Sequence, residues 1–327
     1  MRVTTMPPVA AAAAGAVCIS SSAVLMKLAS TASPSVVALG RCAFALPVLG
    51  ALALRERKRG GPPMPARSRW LARLAGMFLA ADLILWSHTI AAIGAGLGTV
   101  VGNLEVLIIA LLAWLVLGER PSRSLVLASP VMLAGLVLVG GLADTGRSHA
   151  YGTDPALGVG LGVGVAVLYA VYILMLRQAT PSGPGAAVAA PLFEATAGAV
   201  AGSVVLGLVL GDMRLGPPWP VLGWLVLLAL TSQVIGWLLI TVSMPRLAAG
   251  TIGALLLIQP AGSVALSYVI LGERPSLLQL AGVALMLTGV VVAVTGRTPE
   301  APYSRRRTRI IRHASAASTG PSPSKSP

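Results

Sequence analysis

Ionisable side chains are scarce inside the apolar stretches of this chain, and those few are the ones able to do chemistry. They are Arg41, Asp82, His88, Glu105 and Glu194, with the neutral polar residues Asn103, Gln233 and Gln259. A charge at the centre of a bilayer costs at least about 2.5 to 3.5 kcal/mol on the lenient insertion scale, so each needs a partner or a watery cavity. Asp82-x-x-x-Trp86 has a counterpart in Gln233-x-x-x-Trp237. On a helix this spacing stacks the two side chains on one face and sets a hydrogen-bonding group beside an aromatic surface. The chemistry implied is non-covalent recognition of a small molecule. Asp82, Trp86, Gln233 and Trp237 are therefore expected to line a cavity. The competing structural reading puts the tryptophans in an interfacial belt and satisfies Asp82 from a neighbouring helix.

The elements that position these residues follow from composition. Hydrophobic residues make up 56% of the chain and charged ones 10%, with mean hydropathy +0.85, far from the quarter-charged average of soluble domains. A spanning helix needs roughly 20 apolar residues. Stretches of that kind lie near residues 8–30, 34–54, 71–92, 95–117, 124–142, 156–177, 186–210, 219–242, 250–271 and 277–296. The runs are continuous, without the period-2 alternation of a lipid-facing strand, so the expected class is an all-α membrane protein of ten transmembrane helices.

The chain is also duplicated. Leu-Gly-Glu-Arg-Pro-Ser occurs at Leu117 to Ser122 and again at Leu271 to Ser276. Superposing the copies sets Glu105 opposite Gln259. Three extra residues near Met244 bring Asp82 and Trp86 opposite Gln233 and Trp237, and a further difference in loop length sets Arg41 opposite Glu194. The expected division is a first five-helix repeat at 1–142, a connecting loop at 143–155, a second repeat at 156–296 and a basic tail at 297–327. Five is odd, so the second repeat enters the bilayer inverted. Inverted repeats are a build of secondary transporters, with substrate near the midplane and alternating access.

Within the hexapeptides, Gly118 and Gly272 suit the left-handed residue that ends a helix, and Pro121 and Pro275 the first turn of the next. Glu119 and Glu273 are expected at the N-terminus of that following helix, where the dipole favours a carboxylate. Arg120 and Arg274 can snorkel to lipid phosphates. Asn103 and Glu105 are about 200° apart on an ideal helix and share a cavity only if the helix unwinds. Glu105 is preferred because of its repeat partner. Arg41 and Glu194 are coupling or gating candidates that could pair across the pseudo-two-fold axis; separate structural contacts are the alternative. His88 is a further coupling candidate, able to titrate near neutrality. The glycine series Gly94, Gly98, Gly102 and Gly158, Gly160, Gly162, Gly164 are expected to pack helices closely.

Most of the 24 Lys and Arg residues fall on one side of the spans, notably at 55–73 and in the tail. The positive-inside rule places both termini in the cytoplasm, in a cytoplasmic membrane. The net charge of +14 does not imply nucleic acid, because these basic stretches lack interleaved stacking aromatics. The tail, rich in Ser, Pro and Arg, is expected to be disordered. The first apolar segment is read as a retained helix rather than a cleaved signal, and Cys18 and Cys42 as buried thiols.

With the halves "LLAWLVLGERPS" and "LSYVILGERPSLLQLAGVALMLTGVVV", Arg41, and "DLILWSHTIAAIGAGLGTVVGNLEV" in view, the chain resembles the EamA-type branch of the drug/metabolite transporter superfamily over residues 8–296. The resemblance implies a carrier for small metabolites, often an exporter, with a central cavity between the halves. Val106 stands where the second copy has Pro260, so a helix break beside the cavity is expected in the second half alone.

The function expected is thus a secondary active exporter of a small organic metabolite, such as an amino acid or related compound. It would work by alternating access, without cofactor or metal. Asp82 or Glu105 would carry the proton if transport is proton-coupled, and a homodimer is left open. An integral membrane enzyme would need a nucleophile with its base or clustered metal ligands, which the sequence does not offer. A channel would favour rings of like polar groups from several chains.

Overall fold

Prolines open several of the helices, because the missing N–H falls among the donors that a helix start leaves unpaired in any case. In the computed structural model, which describes residues 7–60, 63–118, 121–139, 154–180, 189–214, 216–243, 247 and 255–295, Pro8 begins α1 (Pro8–Ser20). After a bend at Ser21 the chain continues as α2 (Ser22–Leu28). The hydroxyls of Ser20 and Ser21 donate to the carbonyls of Ala16 and Cys18, the back-bonding that bends helices. Pro34 begins α3 (Pro34–Lys58), and α4 (Ala66–Ile93) follows. Gly94, at φ +91, turns the chain directly into α5 (Ala95–Gly102) and then α6 (Glu105–Leu117). Next come α7 (Arg123–Val139), α8 (Pro155–Ala179) and α9 (Ala189–Leu210).

Two segments of π-type geometry then interrupt the pattern. Helix α10 (Trp219–Leu228) widens into a π-helical segment, Ala229–Gly236, before α11 (Trp237–Ser243). Helix α12 (Ile258–Leu266) ends in a second π segment, Ser267–Leu271, and α13 (Leu277–Thr295) closes the series. Gly118 and Gly272 each take the left-handed conformation, both at φ 69, as the hexapeptide chemistry predicts. Glu119, Arg120, most of the 143–155 loop and the 297–327 tail lie outside the described residues.

Seven helical stretches are long and apolar enough to cross a membrane, and Arg123–Val139, Ile258–Leu271 and Leu277–Ala293 are shorter apolar helices. No strand occurs among the described residues. Large side chains such as Leu127, Val209 and Val269 stand exposed on the outside, where lipid rather than water suits them. The molecule is a multi-pass membrane protein.

The tightest packing joins the two halves. Helix α4 lies against α8 and α9, α3 against α9, and α7 against α13. Repeat-related helices run antiparallel, as their end contacts show. Glu56, near the end of α3, accepts the N–H of Ala189 at the start of α9. Reciprocally, Asp212, just past the end of α9, accepts the N–H of Ser35 at the start of α3. Each helix of the pair is capped by a carboxylate from its partner's far end, which the dipole favours. Small residues let backbones meet: a side chain at Gly76 would strike the Ala195 carbonyl, one at Gly198 that of Arg73, and one at Gly135 that of Gly282. Of the glycines singled out in the sequence, Gly158, Gly162 and Gly164 face α4 and α5 closely, whereas Gly102 and Gly160 meet nothing among the described residues.

Candidate functional site

A cavity of about 200 Å³ lies among the interrupted helices. Its wall carries Arg41 from α3, Asp82 and Trp86 from α4, Glu105 from α6, Gln233 from the first π segment, Trp237 from α11 and Gln259 from α12. Every residue expected to bind substrate meets there, from both halves of the chain. The i, i+4 spacing accounts for Asp82 with Trp86. It does not hold Gln233 with Trp237 in the same way, because residues 229–236 are π-helical; such bulges re-aim side chains and occur often at functional sites.

Arg41 is fixed rather than free. Its Nε donates to Gln233 Oε1 at 3.1 Å and its Nη1 to Ser22 Oγ at 3.0 Å, while the whole residue is only 6% exposed. Both acceptors are neutral. Asp82 is 3% exposed and its Oδ1 has no hydrogen-bond partner among the described residues. A buried acceptor left without a donor costs about 1 to 3 kcal/mol or more, so the site holds an unmet demand.

The helix carrying Glu105 is broken at Asn103 and Leu104, and both Asn103 and Glu105 line the cavity. This corrects the expectation that a break would occur in the second half alone. Proline is not required here. The Asn103 amide donates to the Thr99 carbonyl at 2.8 Å, and the backbone closes tighter bonds from Leu104 to Val101 and from Val106 to Asn103. An asparagine side chain thus substitutes for the helical continuation.

A sequence model described as the EamA-like transporter family matches residues 6–141 and, a second time, residues 156–295. The chain belongs to that family. No curated relative matches it. A solved structure described as "Crystal structure of protein" is similar at 18% identity, covering 88% of this chain and 96% of that one, with a TM-score of 0.56. At that identity the likeness speaks for the fold alone.

In this EamA-like transporter two coupling candidates stand apart from the cavity. Glu194 meets Arg73, whose Nε lies 2.7 Å from Glu194 Oε2 and whose guanidinium sits 5.6 Å from the Trp70 ring. Arg41 therefore has Gln233 and Ser22 where the sequence suggested Glu194. The reason is register: Arg41 sits in the first third of α3 and Glu194 in the first third of the antiparallel α9, which puts them at different depths. His88 is exposed and borders a separate pocket with Lys27 and Ser87.

Glu273 is a second correction. Its carboxylate does not serve the helix that follows it. It accepts the N–H groups of Ala95 and Gly96 at 2.8 and 3.1 Å, capping α5 in the other half. The left-handed turn at Gly272 folds it back toward that helix start.

Sequence reasoning missed Tyr169 and Tyr172 of α8, which complete the aromatic wall with ring centroids 5.6 Å apart, and Ser22. The Tyr-x-x-Tyr spacing in an otherwise apolar helix was the available signal.

Proposed function

We propose that this protein is a secondary active transporter that exports a small organic metabolite through the cytoplasmic membrane by alternating access. The observation that carries the reading is the gathering of Arg41, Asp82 and Glu105 with Gln233 and Gln259 in one cavity contributed by both halves. Intramembrane ionisable residues around a cavity mark substrate or ion pathways.

We further infer ten spans in two inverted repeats, with both termini cytoplasmic. The reciprocal capping of α3 and α9 supports the inversion, since those helices occupy the same place in each repeat and run oppositely. Rocking one half against the other would then open the cavity to each side in turn.

Comparative metabolite profiling of cells and medium tests the function, wild type against Asp82→Asn. A compound that moves to the medium only with the wild-type protein names the cargo; identical profiles would end the proposal. Labelling of cysteines introduced beside Arg120 and Arg274 tests the inversion, which fails if both turns react from the same side.

A further inference from the structure

We propose that the cargo is an organic monocation bearing an N–H donor, an amine in its ammonium form, with Asp82 as its anchor. The inference rests on the reading of the cavity as a small-molecule site and gives that molecule a charge.

Charge balance comes first. Two carboxylates, Asp82 and Glu105, and one guanidinium, Arg41, line the cavity. With all three ionised, the wall carries one negative charge in surroundings of low dielectric, where an uncompensated charge is expensive. A bound proton or an organic monocation removes that imbalance, and only the second also occupies the cavity. A zwitterion leaves it unchanged, and an anion doubles it.

Hydrogen bonding points the same way. Arg41 forms no ion pair with Asp82 or Glu105 among the described residues, and its Nε and Nη1 are committed to Gln233 and Ser22. Two of its five N–H donors thus anchor the guanidinium in the wall, and it pairs with neither carboxylate. Asp82 Oδ1, buried and unpartnered, needs a donor that the described protein does not supply. A primary or secondary ammonium brings both the donor and the charge, whereas a quaternary ammonium brings only the charge.

The aromatic lining supplies the rest. Trp86, Tyr169 and Trp237 present ring surfaces in the same cavity as the carboxylates. Aromatic faces attract cations and stack on flat apolar groups. An aromatic amine satisfies every feature at once, which the amino-acid zwitterion suggested from sequence does not.

Three probes of one skeleton separate the charge classes: tyramine (cation), tyrosine (zwitterion) and 4-ethylphenol (neutral). Their binding to the full-length protein in lipid nanodiscs is measured by calorimetry. Tyramine should bind more tightly than either other probe by about ten-fold or more, the weight of one charge-assisted hydrogen bond. Asp82→Asn should abolish that preference, and Glu105→Gln, which keeps the side-chain volume, should reduce it. Equal or tighter binding of tyrosine, binding of none of the three, or full tyramine preference in a folded Asp82→Asn protein would each overturn the proposal. Flux of the same probes into proteoliposomes keeps the two readings apart. Movement of tyrosine but not tyramine sinks the charge assignment and leaves the carrier standing; tyramine binding without flux upholds the assignment and counts against the carrier.

Discussion

The Glu273 carboxylate accepts the backbone N–H of Ala95 at 2.8 Å, tying the second hexapeptide to the start of a helix in the first half. Glu273 is 6% exposed, and its second oxygen takes the N–H of Gly96. Just beyond, Thr99 Oγ1 meets Ser263 Oγ at 3.0 Å, so α5 and α12 are held along successive turns. Glu273→Ala strips two charge-assisted hydrogen bonds from a buried helix start and should destabilise the protein by about 2 to 4 kcal/mol. Glu273→Gln keeps one acceptor oxygen and should lose less. Thermal unfolding in detergent reads both, and equal melting of the three proteins would show that the cap contributes nothing.

Gly94 belongs to the same device. At φ +91 it occupies backbone space that other residues rarely adopt, and a Cβ there would lie 2.9 Å from Glu273 Oε2. Gly94→Ala should therefore cost about 1 to 3 kcal/mol through backbone strain, and more through displacement of the cap. Gly160→Ala, where a Cβ meets nothing among the described residues, is the control and should leave the melting temperature unchanged or slightly raised. The comparison is a pair of unfolding curves on otherwise identical preparations.

Arg41 and Gln233 make a second test. Gln233→Leu removes the neutral acceptor that holds the guanidinium and leaves a buried charge short of a partner. Truncating one side of such a contact costs about 1.5 to 3 kcal/mol, so transport should fall about ten-fold or more. Arg41→Lys should fail too, because an ammonium cannot reach Gln233 and Ser22 with the fixed fork of a guanidinium. Proteoliposome flux with the cargo found by profiling measures both. Full activity in Arg41→Lys would mean that charge alone is needed.

How far the site could be read in advance depended on whether the signal was local. Asp82 with Trp86 announced itself through helical spacing, and Gln233, Trp237 and Gln259 through the repeat. All five line the cavity. The helix ends at Gly118 and Gly272 were equally legible, because a left-handed glycine before Glu-Arg-Pro is chemistry within a few residues. What the sequence withheld was the depth of one helix against another. Arg41 and Glu194 align in the duplication, yet antiparallel packing of α3 on α9 separates them. The destination of the Glu273 carboxylate was hidden for the same reason, since a cap from a distant helix leaves no spacing to find. The π-helical segment around Gln233 has no sequence signature of its own.

The Arg73 and Glu194 pair predicts an absence of effect. Arg73 is 47% exposed in its side chain, and an ion pair so open to solvent is worth about 0.2 to 1 kcal/mol. Glu194→Gln should change flux by less than about two-fold and barely move the unfolding curve. Collapse of transport in this variant, with folding intact, would restore Glu194 to the pathway and require a second state in which it moves inward.

Asn103 offers the sharpest test of the broken helix. Its amide bonds the Thr99 carbonyl and so occupies an acceptor that a continuous helix would give to the backbone N–H of residue 103. In Asn103→Leu that competition disappears, and the good helix former favours joining α5 to α6 through residues 103 and 104. On a continuous helix positions 103 and 105 lie about 200° apart, so Glu105 would rotate away from whichever face position 103 takes. Flux should drop by about ten-fold or more while the melting temperature holds or rises, since a regular helix replaces an interrupted one. Asn103→Asp keeps a polar side chain but loses the amide donor to Thr99, and should share the defect in flux. If Asn103→Leu transports like wild type, the break is set by packing around Leu104 rather than by the asparagine, and the placing of Glu105 must be credited to the neighbouring helices.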